Sequence, residues 1–255
     1  MAKENEGTAT PVIRSAKYES TGKTIEFAGR VLHQIRRIKD GLIGGWIECE
    51  RNLDTYGDAW VSGDAQVYGN ARVSGDARVS GNAQVYGNAR VYGNAQVYGN
   101  ARVSGDARVS GNALIYGNAL IYGDARVSGN AQVYGDARVS GDAWVSGNAQ
   151  VYGDARVSGD AWVSGNAQVA TQLDYLHIAG LSWPVTMCND GLMSIGCQTK
   201  PLSVWLATEF GQHEKVRDQA EFTSIRATLV PIVTAFAAHH SIALTDLTAT
   251  GGQII

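Results

Sequence analysis

Glycine recurs at every sixth residue from Gly57 to Gly165, nineteen times without a slip. The unit reads Gly-[Asn/Asp]-Ala-x-[Val/Ile]-[Ser/Tyr]. Its third position is always Ala, its fifth is Val except at Ile115 and Ile121, and its sixth is Ser or Tyr until Ala170 closes the last unit. A repeat this strict predicts a solenoid, because one unit cannot bury its own apolar face and stacking has to supply the core. Ala and Val alternate with polar residues, the periodicity of a strand, so Ala and Val point one way and x and Ser/Tyr the other. Gly-Asn or Gly-Asp then makes the corner, since these residues tolerate positive φ. A lumen lined only by Ala and Val is filled, and each buried Val contributes about 1.5–3 kcal/mol. With 31 Gly but only 4 Pro, the chain is neither collagen nor a linker.

The small-x-aliphatic pattern of these units resembles the hexapeptide-repeat family. That resemblance implies a left-handed parallel β-helix with three hexads, eighteen residues, per coil. Nineteen hexads then make about six coils, a column about 30 Å tall at ~4.8 Å per layer.

Residues eighteen apart then stack, and the x position sorts into unequal columns. One face carries Arg72, Arg90, Arg108, Arg126, Trp144 and Trp162; a second carries Gln66, Gln84, Arg102, Leu120, Arg138 and Arg156; the third begins at Trp60 and Arg78 and is rich in Gln. The sixth position adds a tyrosine column, Tyr98, Tyr116, Tyr134 and Tyr152, beside the glutamines. Stacked arginines repel unless countered. Asp106 and Asp124 precede Arg108 and Arg126 by two residues, whereas Asn70 and Asn88 precede Arg72 and Arg90, so the lower ladder reads as the less neutralised part. The arginines with Trp144 and Trp162, and the tyrosines, are the candidate ligand or interface residues, since Arg, Trp and Tyr are enriched in binding hot spots.

Residues 1–17 read as a flexible segment, 18–56 as a small β cap, 57–170 as the β-helix and 171–255 as an α+β cap. In the first cap, Lys23–Phe27 and Arg30–Ile38 read as a hairpin, and Trp46 is expected over the first coil. In the second, Asn189-Asp190-Gly191 is a hairpin turn, and helices are expected at about 202–212 and 220–239. Phe222, Ile225, Leu229, Ile232, Val233 and Phe236 share one face of the second helix. Gly44-Gly45-Trp46-Ile47-Glu48, Asn52-Leu53, the hexads, Ile195-Gly196-Cys197-Gln198 and Trp205 together resemble hexapeptide-repeat proteins of bacteriophages and prophages. In that group a His often follows the Ile-Gly-Cys, where this chain has Lys200.

Hexapeptide acyltransferases resemble one another in needing a histidine base near a coil corner. Residues 57–170 contain no His, Lys, Glu or Cys; His177, just beyond them, is the weak catalytic candidate. Three widely spaced cysteines suggest neither a disulfide framework nor a zinc site. A net charge of -3 gives no whole-molecule attraction for nucleic acid, and no apolar run is long enough for a membrane span. The expected fold is therefore mainly β, a left-handed parallel β-helix with a small N-terminal β cap and a C-terminal α+β cap containing two helices. The expected role is that of a non-enzymatic, phage-type binding or scaffold protein in the cytoplasm, a homotrimer that captures a host protein or a small anionic ligand such as a nucleotide. It needs no cofactor or metal. The alternatives are an acetyl-CoA-dependent acyltransferase and a structural virion component.

Overall fold

The computed structural model describes residues 13–178, 185–195, 198–206 and 219–242. Strands β1 (Tyr18–Phe27), β2 (Arg30–Arg37) and β3 (Ile43–Ile47) form an antiparallel meander. A 3-10 turn, Glu50–Asn52, leads into nineteen two-residue strands, β4 (Trp60–Val61) to β22 (Gln168–Val169), each the x-Val/Ile pair of one hexad. These strands pair in parallel at an offset of eighteen residues, Arg72 beside Arg90 and Gln96 beside Leu114, and so sort into three faces. Every hexad Ala and Val/Ile side chain from Ala59 to Val169 is fully buried, so the column has a filled, dry lumen.

The solenoid has seven turns, because the N-terminal cap supplies edges that the glycine period does not show. Ile47 pairs in parallel with Val67, and Leu53 bridges to Val73. Both offsets are twenty residues, since two extra residues fall between Leu53 and Val61. Trp46 does not lie over the first coil: it pairs with Gln66 at an outward x position, and Ile47 takes the core position. Ile13 and Tyr18 close the end of the core instead. Residues 13–17, expected in a flexible segment, are thus part of the cap; residues 1–12 lie outside the described residues.

Along the column the x residue of each rung donates its N–H to a carbonyl of the rung after it, as from Trp60 N to Ala77 O at 2.9 Å and Arg126 N to Ala143 O at 2.9 Å. A parallel ladder leaves both N–H and C=O groups bare at each end of the column, and both ends need partners. The first cap supplies donors and one carboxylate acceptor, Glu48 Oε2, which takes Gly69 N at 2.6 Å. Trp46 N, Glu48 N and Asp54 N reach Ala65 O, Val67 O and Val73 O. Asn52 Nδ2 reaches Gly69 O and Ala71 O at 3.1 and 2.9 Å, and Lys17 Nζ reaches Gly57 O and Ala59 O at 3.0 and 2.5 Å. The second cap offers acceptors, Thr186 Oγ1 to Trp162 N at 3.0 Å, Asn189 Oδ1 to Gln168 N at 3.2 Å, and Asp174 Oδ2 to the N–H groups of Ala170 and Thr171 at 2.9 and 2.6 Å. It also offers donors, Asn189 Nδ2 to Gln168 O at 2.6 Å and the Tyr175 hydroxyl to Arg156 O at 2.5 Å.

The second cap is a four-stranded antiparallel sheet, β23 (Tyr175–Ile178), β24 (Val185–Cys188), β25 (Leu192–Ile195) and β26 (Gln198–Pro201), with helices α1 (Leu202–Leu206) and α2 (Gln219–His239). The turn at Asn189-Asp190-Gly191 joins β24 and β25 as expected, with Gly191 at φ 77. Helix α1 is described over five residues, and its expected continuation to 212 falls outside the described residues. Helix α2 continues through Pro231 and buries Leu229, Val233 and Ala237 against Met187, Met193 and Trp205. Ile232, expected on that face, is 40% exposed, because it lies about 100° around the helix from the centre of the Leu229–Val233–Ala237 stripe. The side chains of Phe222 and Ile225 are outside the described set.

Asp190 in the turn is strained electrostatically. Its Oδ1 accepts from Leu192 N at 3.0 Å, but Oδ2 is buried with no well-placed donor. Burial pushes its carboxyl above the ordinary 3.8. A carboxyl raised on folding favours the protonated folded state, so its stabilising contribution is present at low pH and is lost as pH climbs past 3.8 through the raised value. Asp190→Asn is therefore expected to raise the melting temperature at pH 7 and to leave it unchanged at pH 3, as thermal melts at the two pH values would show.

Candidate functional site

The x column with the arginines is in register as the spacing requires, Arg72–Arg90–Arg108–Arg126–Trp144–Trp162. All four arginines are exposed. Two guanidinium charges one rung apart repel by about 1 kcal/mol in water, so each needs a counter-charge, a π face or solvent. The top of the ladder uses a π face: the Arg126 guanidinium carbon sits 5.9 Å from the Trp144 ring centroid. Trp144 stacks on Trp162 at 4.7 Å and donates from Nε1 to Ser128 Oγ at 3.2 Å. The indole faces thus look along the column, onto each other and onto Arg126. With both faces taken, Trp144 offers an incoming ligand only its edge.

Arg72, Arg90 and Arg108 are different. Among the described residues, the ion pairs are Arg30–Glu48, Arg36–Glu19, Arg37–Asp40 and His177–Asp160; none involves a solenoid arginine. The expected neutralisation of Arg108 by Asp106 does not occur. Asn70 Nδ2 donates to Asn88 Oδ1 at 3.1 Å, and Asn88 Nδ2 donates to Asp106 Oδ1 at 2.9 Å. The aspartate terminates an amide ladder along the corner, where the neighbouring rung's amide is closer than the arginine two residues on. Asp124 makes no ion pair with Arg126 either.

These three arginines, with Ser74 and Tyr92, line an open-sided depression of about 280 Å³. Its shape comes from the sixth hexad position, which on this face runs Ser74, Tyr92, Ser110, Ser128. Tyr92, 40% exposed, stands as a wall among small serines. The sequence shows Tyr92 as the exception in its column; that a wall beside bare arginines makes a notch becomes visible only with side chains in place.

The tyrosine column is also formed, with ring centroids 5.0, 4.8 and 5.1 Å apart from Tyr98 through Tyr116 and Tyr134 to Tyr152. Tyr116 and Tyr134 donate to the Gln132 and Gln150 carbonyls at 3.4 and 3.3 Å. Their faces and two of their hydroxyls are used within the column, so the ladder strengthens the sheet through cross-strand contacts.

His177 is held at both ring nitrogens. Nδ1 lies 3.1 Å from Thr186 Oγ1, and Nε2 lies 2.7 Å from Asp160 Oδ1, close enough for an ion pair though not aligned as a hydrogen bond. Since Thr186 also accepts from Trp162 N, the cluster clamps the second cap onto the last rung. A general base needs a free nitrogen facing substrate, and His177 shows none. Cys188 is buried, and burial pushes its thiol far above the reactive range; Cys197 lies outside the described residues. No helix among the described residues is long and apolar enough to cross a membrane.

A family model described as the YdcK Beta solenoid repeat matches the chain at residues 65–81, 71–85, 83–96, 95–111, 107–121, 131–147 and 149–165, all within the hexad column. No curated protein matches the chain.

Proposed function

We propose that this chain is a non-catalytic binding protein whose solenoid holds Arg72, Arg90 and Arg108 in register as a receptor for an anionic partner. The observation that carries the reading is the depression these residues line without an ion-pair partner. A rigid, filled column fixes the three charges at the rung interval, so the cost of ordering them is met on folding and not on binding. The committed ring nitrogens of His177 favour this reading over acyl transfer. The hexad pattern further supports a left-handed, three-sided coil. A homotrimer and a phage role in capturing a host factor stand with the reading as its biological setting, supported by the family resemblance alone.

Replacing Arg72, Arg90 and Arg108 together with Gln is expected to abolish retention on a sulfated-polysaccharide column at low salt. Gln already occupies x positions such as Gln84 and Gln96, so the variant keeps the fold. Retention equal to that of the wild type would sink the proposal.

A further inference from the structure

We propose that the Arg72–Arg90–Arg108 depression binds a short chain of linked phosphoryl groups, a refinement that rests on the anion-binding reading above. The lining decides the class of ligand. Three guanidinium groups offer donors and no acceptors, and the hydroxyls of Ser74 and Tyr92 can add two more donors. A ligand that satisfies this surface is rich in acceptors and negatively charged, hence an oxyanion.

The spacing decides how many anionic groups it carries. Arg72 pairs with Arg90 and Arg90 with Arg108, so the outer two stand two rungs apart, ~9–10 Å. One oxyanion spans a single interval, between two neighbouring guanidinium groups. Engaging Arg72 and Arg108 at once takes at least two anionic groups joined in a line.

The site is bounded at both ends, which favours a short chain over a polymer. Above it, Arg126 is drawn to the Trp144 ring. Below it, the Leu53–Val73 bridge places Asn52 in line with Arg72, and Asn52 is fully buried with its amide on Gly69 O and Ala71 O. Phosphoryl groups fit the interval best. Each carries several charge-bearing oxygens that a planar guanidinium fork can address in pairs. Bridging oxygens link them flexibly at less than one rung, so a chain can adjust across three arginines. The open side leaves room for the rest of a larger molecule, so the same chemistry arrives either as a free oligophosphate or as the phosphate tail of a nucleotide.

The test is calorimetric titration of the full chain with orthophosphate, pyrophosphate, inorganic tripolyphosphate and a nucleoside triphosphate, with citrate at matched ionic strength as the carboxylate control. Affinity is expected to climb with chain length, with tripolyphosphate at least about tenfold tighter than orthophosphate and than citrate. Arg90→Gln is expected to weaken tripolyphosphate at least about tenfold, while Arg138→Gln, on another face, leaves it unchanged; melting curves verify that both variants fold. Tighter binding of the nucleoside triphosphate than of tripolyphosphate identifies the nucleotide as the source, and equal binding identifies the free chain. The assignment is overturned if affinity does not depend on chain length, if citrate matches tripolyphosphate, or if Arg90→Gln binds as the wild type does. If any of these occurs while the sulfated polysaccharide still binds through the three arginines, only the phosphoryl assignment falls. Loss of both removes the anion receptor as well.

Discussion

Asn52→Ala is expected to destabilise the protein by about 3–5 kcal/mol. Asn52 is fully buried. Its amide donates to Gly69 O and Ala71 O, and its carbonyl accepts from Glu48 N at 3.2 Å and Cys49 N at 2.9 Å. Truncation strands two carbonyls and the Cys49 N–H in a place water reaches poorly, while Glu48 N keeps Val67 O, and each stranded group costs about 1–3 kcal/mol before relaxation. The damage begins at one end, because in a solenoid each rung leans only on its neighbours. Hydrogen exchange should show lost protection in the rungs at Gln66 and Arg72 before those near Arg156. Asn52→Asp, which keeps the acceptor but sets a carboxylate against two carbonyls, should be no milder. Denaturant melts within about 1 kcal/mol of wild type for Asn52→Ala would mean the N-terminal edge is satisfied some other way.

The second large effect concerns a corner in the middle of the column. Gly111 has φ 67, and a Cβ placed there would lie 2.9 Å from both the N and the O of Gly129 on the next rung. Gly111→Ala therefore combines left-handed strain with a clash against backbone that cannot rotate away, together about 3 kcal/mol or more. Asn112→Ala, at the adjacent position, removes two exposed amide contacts, from Asn94 and to Asn130, each at 3.0 Å, and should cost about 1 kcal/mol. Chemical denaturation of the two variants side by side separates these cases, and equal stabilities would contradict the role given to the corner glycine. A break at Gly111 also uncouples the halves of the column, so its unfolding transition should broaden.

The eighteen-residue register was legible because the repeat leaves no freedom: one slipped residue would turn every Val outward. The seventh turn was hidden because two extra residues between Leu53 and Val61 break the period and because Gly45-Trp46-Ile47 lacks the Gly-Asn-Ala signature. The caps were hard to read for a different reason. Lys17, Asn52, Asp174 and Thr186 matter through side-chain hydrogen bonds to exposed edges, and no local pattern marks such residues.

The arginine column was visible in the sequence, and its chemistry only partly so. Asp106 looked like a counter-ion to Arg108 on distance along the chain, but Asn88 on the rung below holds it. Trp144 and Trp162 looked like exposed aromatic contacts, but stacking turns their faces along the column. In both cases the vertical neighbour eighteen residues away governs the side chain more than the horizontal neighbour does. What remains after those two revisions is narrower than the original column: three arginines, one tyrosine and one serine.

The most direct test of that site is the salt dependence of binding to a sulfated polysaccharide. Each arginine that neutralises a polymer charge releases a counter-ion and adds roughly one to the slope of log affinity against log salt. The slope for the wild type should exceed that of the Arg72→Gln/Arg90→Gln/Arg108→Gln variant by about three, at equal melting temperatures. Equal slopes for the two proteins would contradict the account, since they would show that these arginines meet no anion.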